Sequence, residues 1–243
     1  MQAGQNEFLP LINVVEGSIP MKPMPLAESL AQTFRGRPPF TAALAEIVRE
    51  RRSIRDFHSE PIPPSEILDL LSLVARAPSA WNLQPWRFVV VTEQATKEAL
   101  RDAANGQKQV VRAPVVIVIY SDMVDALARI DDALHPSLPP DLKEKTRETI
   151  LAHFAEMPAP QRDQWGRNQA NIALGYLLLI LESHGYGSSP MLGFDPPKVR
   201  ALLHLPDHAE VVALVAFGRP AEEGRTPHRH NTALLTRWMG ANP

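Results

Sequence analysis

Apolar positions recur at helical spacing from Thr41, a residue suited to cap a helix, through Leu44, Ile47 and Val48. Arg49, Arg51 and Arg52 follow at what reads as the last turn, where cations complement the helix dipole. A second helix is predicted over Pro64–Ala75, opened by Pro64 and Ser65 and carrying Ile67, Leu68, Leu70, Leu71 and Val74. Trp86–Val91 reads as a strand, Glu93–Ala104 as a helix, and Val115–Tyr120 as a strand that is apolar throughout and therefore central. Residues 122–160 read as interrupted helix, broken at Pro136, Pro139 and Pro140, with a charged helix near Leu142–Phe154; this is expected to be the least buried part of the body. Gln164–Ser183 is apolar around most of its circumference in its second half, which predicts a helix that is central or lies in a subunit interface. Gly185 stops it, Gly187–Gly193 reads as a loop, Asp195–Leu203 as a short helix and Val211–Phe217 as a third strand. A short helix near Thr232–Trp238 ends the pattern.

Residues 1–40 show no sustained period and are rich in Pro and Met, yet Phe8, Leu9, Leu11, Ile12, Val14 and Val15 are too many apolar residues for a free tail. They are read as an arm that wraps the body or a partner. The remainder, 41–243, reads as one domain with a helical, lid-like excursion at 122–165 and a tail at 218–243.

Composition removes several classes of function. With 243 residues and 44% apolar content the chain can bury a substantial core, and a formal net charge of −2 gives no global drive toward nucleic acid or acidic membranes. An anion site must then be local. No window approaches the roughly 18 apolar residues of a membrane span and no leader pattern is seen, so the expected location is the cytoplasm. With no Cys there is no thiolate chemistry, and redox work must come from a bound cofactor. The sequence lacks G-x-G-x-x-G after a strand, Walker A, H-E-x-x-H and G-x-S-x-G. The pairs His204/His208 and His228/His230 read as surface residues.

Three segments carry chemistry. Arg51-Arg52-Ser53-Ile54-Arg55-Asp56-Phe57 offers guanidinium forks suited to phosphate oxygens. Ala77-Pro78-Ser79-Ala80-Trp81-Asn82-Leu83-Gln84-Pro85-Trp86 places hydroxyl and amide groups in a turn before a strand. Gly187-Ser188-Ser189-Pro190-Met191-Leu192-Gly193-Phe194-Asp195 supplies small residues whose backbone can approach a planar ligand. Taken singly, each is most simply a solvated helix end or a loop.

In this order and at these intervals, the segments resemble the nitroreductase-like flavoproteins over roughly residues 41–230. The family pattern is Arg-x-Ser-x-Arg/Lys-x-Phe, then Pro-Ser-x-x-Asn-x-Gln-Pro-Trp, a Gln- or Asn-containing turn before Ala-Pro, and Gly-x-x-Ser/Ala-x-Pro-x-x-Gly-Phe-Asp, closed by a basic tail. The resemblance implies an α+β fold, a central mixed β-sheet flanked by helices, and a homodimer with extended terminal arms. It implies FMN as cofactor and NADH or NADPH as electron donor, with hydride passing to flavin N5 and a small-molecule acceptor, such as a nitroaromatic or quinone, taking its turn in a ping-pong sequence. It further implies that Arg51, Arg52, Ser53 and Arg55 reach the phosphate, ribityl chain or pyrimidine edge, with Arg229 completing the phosphate site. Pro78, Ser79, Ala80 and Asn82 would meet the flavin from the other subunit. Gln107 or Gln109 would touch the pyrimidine ring, and Pro190, Met191, Leu192 and Gly193 would lie along the flavin. Many relatives have Glu at the position of Leu192, so a contact there can only use its backbone. No side chain is required as an obligate acid or base. The same fold leaves open specialised flavin chemistry such as reductive dehalogenation, or FMN storage without turnover.

Overall fold

Valine and isoleucine fill the two strands at the centre of this protein, and the sheet is built outward from them. The computed structural model describes residues 40–240, and the body comprises residues from Ala45 onward. The expected N-terminal arm lies outside the described residues. Helix α1 spans Phe40–Glu50.

The sheet contains β1 (Trp86–Val91), β2 (Val115–Ser121), β3 (Gly187–Met191) and β4 (Glu210–Gly218) in the order β1-β2-β4-β3. All three pairings are antiparallel. The parallel component is a single bridge, Ser53 with Ser188, where the chain leaving α1 adds to the outer edge of β3. The expected mixed sheet is thus mixed only at that bridge. Val115 to Ile119 are fully buried, as expected of a central strand.

Side chains alternate across the sheet, so a strand buried on both faces feeds two cores. Val115, Ile117, Ile119, Val215 and Phe217 pack under α2 (Pro64–Val74) and the long α8 (Ala159–Ser183) through Leu70, Val74, Ala173, Leu177 and Leu181. Val116, Val118, Leu214 and Ala216 face the opposite layer. There they meet Leu100 of α3 (Gln94–Ala103), Val110 of α4 (Gln109–Arg112) and Val199 of α9 (Pro196–Leu202). A register shift between Ile119 and Tyr120 against β4 breaks the alternation, and Val212 consequently joins the same core as Ala213. Full burial of each such aliphatic side chain is worth about 1.5–3 kcal/mol.

One expectation needs correction. Gly187–Gly193, read as a loop, begins as strand β3, since pairing with β4 overrides the low strand preference of Gly, Ser and Pro. Pro190 is tolerated because β3 is an edge strand of the four. The 122–160 region is interrupted helix as expected, with α5 (Met123–Ala128), α6 (Ile130–Ala133) and α7 (Pro140–Ala155), and most of its residues are not buried. Met123, Ile130, Ile150 and Phe154 are buried with Leu83 in a third core, which explains why isolated apolar residues persist among its charges. In the tail, α10 is confined to Thr232–Leu235.

Gly187 sits where the chain passes closest to Ile54: a Cβ there would lie 2.7 Å from Ile54 Cγ1 and 2.8 Å from its Cβ. Gly187→Ala is expected to destabilise the fold by about 1–3 kcal/mol through overpacking, read as a lower urea midpoint; an unchanged midpoint would show that this strand edge is free to shift.

Candidate cofactor site

The Ser53–Ser188 bridge decides where the arginines go. Ile54 N–H donates to the Ser188 carbonyl at 3.0 Å, anchoring residues 51–55 along β3. The Phe57–Pro220 bridge brings the chain after β4 back past the same segment. Between these two strands of chain lies a cleft of about 730 Å³ whose walls include Arg51, Arg52, Ser53, Arg55, Arg225 and Arg229. The four residues expected at the phosphate, ribityl chain or pyrimidine edge are therefore brought together with Arg229. Arg225 and His228 join them on the tail wall, and only the basic character of the tail hinted at these two.

Arg51 is the informative member. Its Nη2 reaches Ser188 Oγ at 3.5 Å, while its Nε is buried without a hydrogen-bond partner. Burial pushes the guanidinium below its ordinary pKa; the Glu182 carboxylate opposes that shift and the Arg229 charge adds to it. Two like charges held near one another, one with an unsatisfied donor, describe a site suited to an anion. Arg52 differs, pairing with Glu50 at 3.3 Å and donating to the Glu223 carbonyl. Arg55 has its side chain exposed, and its backbone N–H is held by Glu222 at 2.7 Å.

A second group forms where β3 ends. Gln107 Nε2 and Asn105 Nδ2 both donate to the Gly193 carbonyl, at 2.9 and 3.1 Å. Gln109 is buried and donates to Gln107 Oε1 at 3.1 Å. Of the two glutamines left open in the sequence, Gln107 is half-exposed and Gln109 lies buried behind it. With its carbonyl taken by two donors, Gly193 has its N–H left for a ligand. Leu192 is 66% exposed, whereas the Met191 side chain is buried in the core, so only the Met191 backbone can face outward. Asn105 was not anticipated, although its Asn-Gly dipeptide marks a left-handed turn, realised here with φ of 55° and 73°.

Pro78, Ser79, Ala80 and Asn82 form a third group. Within the protomer their polar contacts run to Gln84, Gln169 and Ala133 rather than to the arginine cleft. Trp81, Asn82 and Gln84 all have positive φ, of 51°, 57° and 43°. Such backbone costs of order 1 kcal/mol or more per residue and persists only where the surroundings enforce it. Trp81 packs against Trp165, His153 and Phe154 of the helical excursion. Next to this turn, Arg87 and Arg129 hold the Asp125 carboxyl below the usual carboxylate range through hydrogen bonds, Arg87 contributing more.

The family model described as the nitroreductase family matches residues 48–219. The chain belongs to the nitroreductase family. As a member it is an oxidoreductase, of a family that uses FMN with NAD(P)H. It is 50% identical over 198 residues to an NADH dehydrogenase of Thermus thermophilus, covering 82% of this chain and 94% of that one. Bacillus subtilis MhqN, named as an NAD(P)H nitroreductase, is 31% identical over 76% of this chain and 93% of its own. A nitroreductase-type protein of Exiguobacterium sibiricum, solved in complex with FMN, superposes with a TM-score of 0.75 at 26% identity, covering 81% of this chain and 97% of that one. Among the described residues, no helix is long and apolar enough to cross a membrane.

Because the folded pKa of Asp125 is depressed, its stabilising contribution is complete above the unfolded value of about 4 and is lost as pH falls through the folded value. The stability gap between the wild type and Asp125→Asn should therefore stay constant from about pH 7 to pH 4.5 and narrow below about pH 4. Thermal melts of both proteins check this; a gap that does not narrow would exclude the ion pair as its source.

Proposed function

We propose that this nitroreductase-family protein is a cytoplasmic, FMN-dependent enzyme that oxidises NADH or NADPH and reduces electron-poor small molecules such as nitroaromatics or quinones. The observation that carries the cofactor assignment is Arg51, a half-buried guanidinium that lines a cleft together with Arg55 and Arg229. When bound, FMN supplies the chemistry, accepting hydride from the donor and returning reducing equivalents to the acceptor.

The residues of the chain bind and orient. Arg51, Arg55 and Arg229 neutralise the phosphate dianion, with charge-assisted hydrogen bonds that a neutral side chain could not replace. Ser53 sits between them on the bridge to β3 and offers a hydroxyl to the ribityl chain. Gln107, fixed by Gln109 and Gly193, retains one amide hydrogen for the pyrimidine edge. The Leu192 and Gly193 amides line the approach to the reacting edge, and donors there favour the added negative charge of a reduced ring. No side chain is assigned as an acid or base.

We further infer a homodimer that completes each site with Pro78, Ser79, Ala80 and Asn82 of the second protomer. This accounts for a turn that is largely exposed, has three residues at positive φ and contributes nothing to the walls of the arginine cleft. It also accounts for the outer stripe of α8, where Ile172 and Tyr176, four residues apart, remain 38% and 40% exposed.

Replacing Arg51 and Arg55 together with Ala is expected to weaken FMN binding by a few kcal/mol, at about 1.5–3 kcal/mol per charge-assisted hydrogen bond lost. Fluorescence titration of the cofactor-free protein measures it, and undiminished affinity in the double variant would remove both residues from the phosphate site.

A further inference from the structure

The strained turn at Trp81–Gln84 is joined to the rest of the body by one side chain that makes contacts in two directions. Arg87, on β1, sends Nη1 to the Gln84 carbonyl at 2.9 Å and to the Trp86 carbonyl at 2.7 Å. Its Nε donates to Asp125 Oδ2 at 3.0 Å, and its Nη2 reaches the same oxygen. Asp125 lies in the first turn of α5, and its own N–H is capped by Asp122 Oδ1 at 2.8 Å. Asp122 N–H in turn donates to the Pro85 carbonyl at 2.8 Å. The exit of the turn is therefore tied to the start of α5 by the main chain at Pro85 and by a guanidinium fork at Gln84 and Trp86.

We propose that Arg87, oriented by Asp125, is a positioning residue that locks the Trp81–Gln84 turn in its left-handed conformation and so pre-forms the surface offered to the cofactor. The inference rests on the cofactor reading above and adds a residue outside every predicted contact. The other bonds of the turn are neutral: Asn82 N–H to the Ser79 carbonyl, Leu83 N–H to the Ala80 carbonyl, Gln84 N–H to Ser79 Oγ, Gln84 Nε2 to Asn82, Asn82 Nδ2 to the Ala133 carbonyl and Ala80 N–H to Gln169 Oε1. Arg87 contributes the charge-assisted ones, and at three positive-φ residues a neutral backbone left alone would relax toward ordinary φ. An ammonium group lacks the planar fork that presents separate donors to two carbonyls and a carboxylate at once, so Lys cannot substitute. Arg129 holds the other Asp125 oxygen from the exposed surface and makes no hydrogen bond to the turn, although it lines the same small cavity as Asn82, Leu83 and Gln84.

The test reads the turn directly, without cofactor. Trp81 stacks on Trp165 with ring centroids 6.1 Å apart and planes 25° from parallel, a geometry that produces an exciton couplet in far-ultraviolet circular dichroism. Trp81→Phe identifies that couplet. Arg87→Met and Arg87→Lys are expected to lose it and to bind FMN about tenfold or more weakly, while retaining a cooperative urea transition; Arg129→Met is expected to keep the couplet and the affinity. Should Arg87→Met fail to fold, the isosteric Asp125→Asn decides by the same two readings. An intact couplet with undiminished FMN affinity in the Arg87 variants would overturn the proposal. If the wild type itself takes up no FMN, the cofactor reading fails instead, and the couplet alone decides whether Arg87 holds the turn.

Discussion

The antiparallel pairing of β4 with β2 on one side and β3 on the other is the constraint from which the rest follows. Two central strands with no solvated face require helices on both sides, which fixes α2 and α8 above the sheet and α3, α4 and α9 below it. The edge strand β3 is left with unpaired backbone groups, and residues 53–54 satisfy part of that edge. Arg51 is carried to its position by that backbone closure. Its partial burial beside the Arg229 charge is a consequence of fold geometry, which makes the proposed anion site a property of the sheet edge.

Electrostatics around the cleft is balanced rather than uniformly positive. Glu182, whose carboxyl is raised mainly by burial and lowered by Arg51 and Arg52, offsets part of the cationic field from below. Glu222 holds the Arg55 amide, and Glu223 offers Arg52 a carbonyl. This distribution fits the proposed binding of a dianion by a chain with a formal net charge of −2, since five arginines line one cleft. At the far end of the site the contacts are neutral amides around Gly193, which suits a polar ring edge.

Long, strongly periodic segments were legible in the sequence because burial on one or both faces writes itself into residue choice. Val115–Tyr120 and Val211–Phe217 are apolar runs for that reason, and the arginine motif reached its cleft because the spacing of Arg51, Ser53 and Arg55 lies on one extended stretch. Strand β3 was not legible, since Gly-Ser-Ser-Pro-Met becomes a strand only through pairing decided elsewhere. The first turns of α8 carry Gln161, Arg162 and Asp163, which hide its start at Ala159. Gln107 and Gln109 are chemically identical, and only burial separates the half-exposed amide from the one behind it. The role of Arg87 was invisible for the same reason, because its partner Asp125 lies 38 residues away on a different element.

The account stands on the claim that this cleft holds a flavin that a nicotinamide can reduce. The direct measurement is the visible absorption spectrum of the purified protein under anaerobic conditions, after incubation with FMN and removal of excess, before and after NADH or NADPH is added. A bound-flavin spectrum that bleaches with at least one donor is the predicted result. A protein that retains no flavin would contradict the cofactor site, and a bound flavin that neither donor reduces would contradict the proposed oxidoreductase cycle.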